Sequence, residues 1–191
     1  MKKRILLFLV FISAAFLVMA QQKKAKYNFH SVNNLALVNG NSAVSTALQS
    51  VNGIQHGPWF AGLGVGIDYY RYRTVPLFAD LRYSFGKKKN KFFAYADAGM
   101  NFTWVQDHFI DNPTIWNNQT SNRFKNGIYT DIGFGYSAGA KNGNAFVLSL
   151  GHSHKSMEET ETYQDWRTRE WLLKHNSYDF NRIMLKIGWQ F

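Results

Sequence analysis

The stretch 59–70, Trp-Phe-Ala-Gly-Leu-Gly-Val-Gly-Ile-Asp-Tyr-Tyr, alternates between two kinds of side chain. The apolar set is Trp59, Ala61, Leu63, Val65, Ile67 and Tyr69, and the opposite set is Phe60, Gly62, Gly64, Gly66, Asp68 and Tyr70. Successive residues of a β-strand point to opposite faces, so a period of two is typical of a strand. The stretch predicts a strand with one apolar face and one face made largely of glycine.

The same alternation recurs along most of the chain. It is found in five further segments, 77–85, 92–104, 128–137, 146–153 and 182–191, and more weakly in 31–38 and 43–51 on either side of Asn39-Gly40. An Asn-Gly pair between two apolar runs is typical of a β-hairpin. The 191 residues include 17% aromatics, which fit strands well. The tally predicts an all-β fold of about eight strands.

The connections between these segments differ in length in a regular way. The joins near 52–57, 86–90 and 139–144 are compact, whereas those at 106–123 and 158–177 are long and leave from the opposite side. Short turns at one end and long loops at the other are typical of outer-membrane barrels. We therefore predict an eight-stranded antiparallel up-and-down transmembrane β-barrel.

A soluble lipocalin-like barrel is the alternative, and it would turn the apolar face inward. The composition of the polar face favours the membrane barrel because it combines glycine with acids and bases in similar numbers. A narrow lumen filled by an ion-paired network would explain this composition. The predicted network residues are Asp68, Asp80, Arg82, Asp97, Asp131, Arg182 and Lys186.

The first twenty residues have the organisation of a secretory signal peptide. Three basic residues precede an apolar run that ends at Ala20, and this run is too short to cross a bilayer as a helix. We predict cleavage after residue 20, a periplasmic lead at 21–30 and the barrel at 31–191. The formal charge of +10 would fall to about +7, since three basic residues leave with the signal. The chain has no cysteine, which excludes a disulfide scaffold.

The C-terminal segment 181–191 resembles the closing strand of Gram-negative outer-membrane proteins, with Ile187, Trp189 and the terminal Phe191 on one face. Segments 62–70 and 76–82 resemble the small, glycine-rich barrels grouped as outer-membrane β-barrel domain proteins. This resemblance implies a protein of the cell outer membrane that reaches it through the secretory pathway. It also implies that the closing strand is read by the barrel-assembly machinery, and that outer-membrane lipid and lipopolysaccharide surround the barrel.

The sequence contains no evident active site, so we expect a structural or surface-interaction role through the extracellular loops. The candidate contact residues are four aromatics of the long loops: Trp116, Tyr163, Trp166 and Trp171. The surface ligand is unknown. We expect no cofactor, no metal and no nucleic-acid partner, because the basic residues are scattered among turns and loops.

Two alternative functions remain. The pair His154 and Ser156 shares the apolar parity of its strand and resembles the His-x-Ser arrangement of outer-membrane lipid A deacylases, in which histidine activates serine. Met157 departs from the asparagine of that family, and Glu170 is the nearest later candidate for an orienting acid. His152 and His154 fall short of a closed metal site. The second alternative is a porin-like channel for small solutes.

Overall fold

The computed structural model describes residues 27–41, 43–86, 89–104, 121–139, 144–165 and 167–191. The predicted signal peptide at 1–20 and most of the predicted lead lie outside these residues. The described chain forms one antiparallel sheet. Its strands are β1 (Asn28–Gly40), β2 (Val44–His56), β3 (Trp59–Asp68), β4 (Thr74–Phe85), β5 (Lys91–Thr103), β6 (Ser121–Lys125), β7 (Gly127–Gly139), β8 (Ala145–Gln164) and β9 (Trp171–Gln190). Among the described residues, no helix is long and apolar enough to cross a membrane.

The short strand β6 and the longer β7 together occupy one position in the wall. Both pair with β8, and the register shifts by one residue across Asn126, from Lys125 opposite Glu158 to Tyr129 opposite Lys155. The barrel is therefore eight-stranded, and its up-and-down order confirms the predicted fold class. β9 pairs with both β8 and β1, which closes the barrel.

The strands are staggered around the barrel. Following hydrogen-bonded partners from Asn28 through every strand leads back to β1 at Val38, a shift of 38 − 28 = 10 residues. Eight strands with this stagger tilt by roughly 40° and enclose an interior just wide enough for side chains to fill. The interior is consequently a packed core rather than an open tube.

The orientation of the apolar and polar faces of the wall is the reverse of that in a soluble barrel. Large apolar side chains such as Leu63, Phe134 and Ile132 are exposed on the outside, by 70%, 72% and 63%. Acids, bases and glycines point inward. An apolar outer band with a polar interior is the arrangement of a barrel in lipid, and this rules out the lipocalin-like alternative.

The C-terminal part of the closing strand pairs with β1. Trp189 lies opposite Asn33 and Ile187 opposite Leu35, while the Phe191 backbone exchanges hydrogen bonds with Ser31 at 2.9 and 3.4 Å. Ile187, Trp189 and Phe191 all face outward. The first strand begins at Asn28, three residues before the expected boundary of the barrel.

The turns define the two ends of the barrel. Gly57 and Pro58 form a two-residue turn between β2 and β3, and Gly57 has a φ of 60°, which favours glycine. This turn, the β4–β5 join and the β7–β8 join lie at the same end as the start of β1 and the end of β9, which is the periplasmic end in barrels of this kind. The opposite, extracellular end carries the other connections.

The prediction of a second long loop, at 158–177, is wrong. Residues 158–177 are not a loop: β8 continues to Gln164, β9 begins at Trp171, and their pairs run without a break from Gln164–Trp171 to Glu158–Ser177. Only 165–170 form the connection. Apart from buried Glu159, the residues of this hairpin whose burial is described are half-buried or exposed, so its sequence lacks the alternation that marks the strands within the membrane.

Candidate functional site at the extracellular end

The lumen beneath the extracellular end is filled by ion pairs, the first of which joins Asp80 and Arg82. Arg82 donates from Nη2 to Asp80 Oδ2 at 2.7 Å and from Nε to both carboxylate oxygens at 2.9 and 3.0 Å. The rings of Phe60 and Phe93 lie 5.4 and 5.5 Å from the guanidinium carbon. This pair is buried and is held between two aromatic rings.

The second cluster is centred on Lys186. Its Nζ lies 2.6 Å from Asp131 Oδ2 and 3.4 Å from Asp97 Oδ2. Tyr95 donates its hydroxyl to Asp131 Oδ1 at 3.1 Å. One cation is thus shared between two buried carboxylates on neighbouring strands β5 and β7.

The third cluster is centred on Asp68 and lies nearest the extracellular mouth. Asp68 Oδ2 accepts a hydrogen bond from Arg182 Nη1 and lies 3.2 Å from Lys155 Nζ. Arg182 also donates to Ser153 Oγ at 2.8 Å, and Lys155 donates to Thr74 Oγ1 at 3.2 Å. All of these side chains are buried.

The structure brings the seven predicted lumen residues into these three clusters and adds Lys155, which sequence reasoning missed. Lys155 lies two residues after Ser153 on β8 and therefore points to the same inward face, and this spacing could have predicted its place in the lumen. Four aspartates therefore face four cations within the described lumen, namely Arg82, Lys155, Arg182 and Lys186. Their formal charges balance, which lowers the free energy needed to bury each of them.

An aromatic cluster closes the mouth above the Asp68 cluster. Its members come from the β3–β4 turn, β6 and β9: Tyr70, Tyr72, Phe124, Tyr178 and Phe180. Ring centroids within it lie 5.3 to 5.9 Å apart. Tyr178 donates to Glu159 Oε2 at 2.7 Å, and burial together with this hydrogen bond raises the pKa of its phenol. Tyr178 thus remains a neutral donor.

The wall continues beyond this mouth as a three-stranded extension formed by β6 and the outer parts of β8 and β9. Its tip is a compact turn in which Arg167 N donates to Asp165 Oδ1 at 2.7 Å and Asp165 N donates to Glu170 O at 2.9 Å. Next to the turn, Trp171, Leu172 and Leu173 are 55%, 37% and 64% exposed. An exposed apolar segment in water is the kind of surface that binds other molecules.

Two of the four predicted contact aromatics belong to this extension. Tyr163 lies on β8 opposite Leu172, and Trp171 is the first residue of β9. Trp116 and Trp166 lie outside the described residues. Both of the predicted contact aromatics that lie among the described residues are therefore on the extension.

The candidate catalytic pair lies on the outer face of β8, and its members turn to opposite sides. The ring of His154 is directed to β9, with Nδ1 3.0 Å from Asn181 Oδ1 and Nε2 3.8 Å from Asp179 Oδ1. Ser156 Oγ accepts a hydrogen bond from Ile128 N on β7 at 2.9 Å. Among the hydrogen bonds of the described residues, none joins His154 to Ser156.

The acid beside this histidine is Asp179 rather than Glu170, which lies in the distant turn. Within the described ranges, no cluster of three or more His, Asp or Glu side chains could hold a metal ion.

Comparison with known proteins bears on the fold. No protein-family model matches the chain, and no curated protein matches it. A solved structure is similar, the solid-state NMR structure of outer membrane protein AlkL in DMPC lipid bilayers. The TM-score is 0.55 at 9% sequence identity, over 89% of this chain and 93% of that chain. This likeness, together with the apolar outer wall, shows that the chain has the fold of an outer-membrane β-barrel.

Proposed function

We propose that this protein is an integral outer-membrane barrel that binds a partner at the cell surface through the extension of β6, β8 and β9. The observation that carries the proposal is the length of β9 outside the closed barrel. The first residue of β9 that pairs with β1 is Arg182, so the preceding residues 171–181 extend beyond that seam, 182 − 171 = 11 residues. At about 3.3 Å per residue they span roughly 36 Å.

This part of β9 has a free edge among the described residues. Within the described ranges, no strand pairs with residues 171–181 on the side that β1 occupies further down. Unpaired backbone N–H and C=O groups along an edge are a template for an added strand. Trp171 and Leu173 share one face beside that edge and supply apolar contacts. We infer that an extended segment of a partner pairs with β9 and covers these two side chains.

The filled lumen supports a binding role over the channel alternative. Solutes passing through the barrel would have to separate the Asp68, Asp80 and Lys186 clusters and the aromatic cluster at the mouth. Buried ion pairs resist such separation because each partner would be left as an uncompensated charge. The separate environments of His154 and Ser156 favour binding over catalysis as well.

Site-specific photo-crosslinking in intact cells tests the proposal. A photoreactive phenylalanine analogue at Leu173, on the exposed face of the extension, is expected to give a discrete protein adduct. The same analogue at Leu77, which is 51% exposed on the lipid face, is the matched control and should give none. A Trp171→Ser change in the Leu173 probe should remove most of the adduct, since buried tryptophans carry much of the energy of an interface.

The proposal fails if position 173 gives no adduct beyond that of position 77 while both proteins show the heat-modifiable gel migration of a folded barrel. It also fails if the adduct yield at position 173 is unaffected by Trp171→Ser.

A further inference from the structure

Arg73 is held between two aromatic rings on the outer wall. It lies in the β3–β4 turn, and its guanidinium carbon is 5.5 Å from the Tyr69 ring centroid and 5.4 Å from that of Trp104. Trp104 N donates to Arg73 O at 3.0 Å, which fixes the turn against the end of β5. Both rings face outward, 45% and 48% exposed, at the extracellular limit of the apolar band. Aromatic rings of this kind mark the interface between lipid and water.

Arg73 differs from the cations of the lumen in having no acidic partner among the described residues. Each of the four lumen cations lies within 3.4 Å of an aspartate, whereas no carboxylate of the described residues lies within 4.0 Å of Arg73. Both rings lie beside the guanidinium carbon, and the hydrogen bonds of the described residues include none from the N–H edge of the guanidinium. That edge has the fork geometry that binds phosphate through two hydrogen bonds.

An apolar groove begins directly beneath this cation. Val75 and Ile67 lie two residues below Arg73 and Tyr69 on the same outward face, and they line the groove together with Trp104. The groove then crosses the wall along a row of hydrogen-bonded partners. The row consists of Val65, Ser50, Asn33, Trp189 and Phe146.

Short side chains make this row a depression. Ser50 and Asn33 lie beside a parallel row in which Leu48 and Leu35 project further. On β3, Val65 lies four residues below Tyr69, about 13 Å, and Ser50 is one strand spacing of about 4.8 Å further, which is comparable with the hydrocarbon of one leaflet, about 15 Å. The row then continues to Trp189 and Phe146, near the periplasmic ends of β9 and β8. The groove therefore has the length and apolar lining that suit an acyl chain descending from the outer surface.

We propose that Arg73, Tyr69 and Trp104 bind the phosphate of an outer-leaflet glycolipid, the lipid A part of lipopolysaccharide, with one of its acyl chains lying in the groove. The phosphate assignment rests on charge complementarity, because a cation at the interface with no carboxylate partner among the described residues attracts an anionic headgroup. The acyl-chain assignment rests on the continuity of the groove with the cation, because Trp104 contacts the guanidinium and also lines the upper end of the groove. The site is separate from the extension and does not depend on the function proposed for it.

The test is native mass spectrometry of the refolded full barrel in detergent, titrated with diphosphorylated lipid A. Arg73→Gln is expected to weaken binding about tenfold, since a charge-assisted hydrogen-bond pair is lost. Arg71→Gln is the matched control: it makes the same charge change in the same turn, but Arg71 lies over Tyr72 and Tyr178 at the mouth. Equal weakening by both changes would overturn the assignment of Arg73.

A second pair of variants tests the groove. Ser50→Phe fills the depression and should weaken lipid A binding, whereas Ala79→Phe on the outer face of β4 should have no effect. Both place an apolar ring in lipid, so folding is expected to be retained and is checked by heat-modifiable migration. Binding that is indifferent to Ser50→Phe would overturn the acyl-chain half of the proposal.

The source of the phosphate is tested with a second lipid. Phosphatidylglycerol should bind more weakly than lipid A, and equal affinity would contradict the assignment to an outer-leaflet glycolipid. A dimer that forms without lipid and is abolished by Ser50→Phe would show that the groove receives a second copy of the barrel, which would also overturn the proposal.

Discussion

Replacing Asp68 with asparagine is expected to lower the free energy of unfolding by about 3–5 kcal/mol, the effect of breaking a buried ion pair from one side. Asp68 neutralises both Arg182 and Lys155, and the side chains of both cations are 0% exposed. Asparagine keeps the size of the side chain, so the loss reports charge rather than packing. The measurement is urea unfolding of the refolded protein in lipid vesicles.

An exposed carboxylate provides the control for this change. Glu158 lies 3.2 Å from Lys125, but the two side chains are 60% and 71% exposed, so Glu158→Gln should change stability by only about 0–1 kcal/mol. Adding Lys155→Met to Asp68→Asn should restore part of the lost stability, because one of the two unpaired cations is removed. Similar losses from Asp68→Asn and Glu158→Gln would contradict a network buried in the lumen.

A second large effect is expected from Gly64→Val, which should lower stability by about 1–3 kcal/mol or more. Gly64 points into the lumen, and a Cβ at this position would overlap the ring of Phe78, which is 2% exposed. The glycine thus provides the space that the aromatic ring fills. Unfolding in the same vesicles measures the loss.

The matched control is Ala79→Val on the outward face of the neighbouring strand, where the added methyl groups meet lipid and stability should be unchanged. Combining Gly64→Val with Phe78→Ala should destabilise less than the sum of the two single changes, because the smaller residue makes room for valine. If the stability losses of Gly64→Val and Phe78→Ala simply added, the two positions would not share one packing site.

The strands within the membrane could be predicted from sequence because lipid on one side and a packed lumen on the other impose alternation. The strands of the extension could not be predicted in this way, since their residues are mostly half-buried or exposed and the alternation disappears above the membrane. Thr160, Thr162 and Tyr163 were the remaining signal, because β-branched and aromatic residues favour strands.

The individual contacts of the site depend on register, which the sequence does not reveal. Asp68 meets Lys155 and Arg182 across the lumen although the residues are 155 − 68 = 87 and 182 − 68 = 114 positions apart. Asp179 lies near His154 because it lies opposite Ser156 on the paired strand, whereas Glu170 follows the turn at the tip. The charges of the lumen were evident from parity, but the identity of each pair required the closed barrel.

Electrical recording from planar bilayers tests whether the lumen is closed, as expected if the function lies on the outside of the barrel. The refolded protein, shown to be folded by its heat-modifiable migration, is inserted into the bilayer under applied voltage. A filled eight-stranded interior predicts a bilayer with no discrete conductance steps. Reproducible unitary steps from the folded protein, absent from bilayers with detergent alone, would contradict the account.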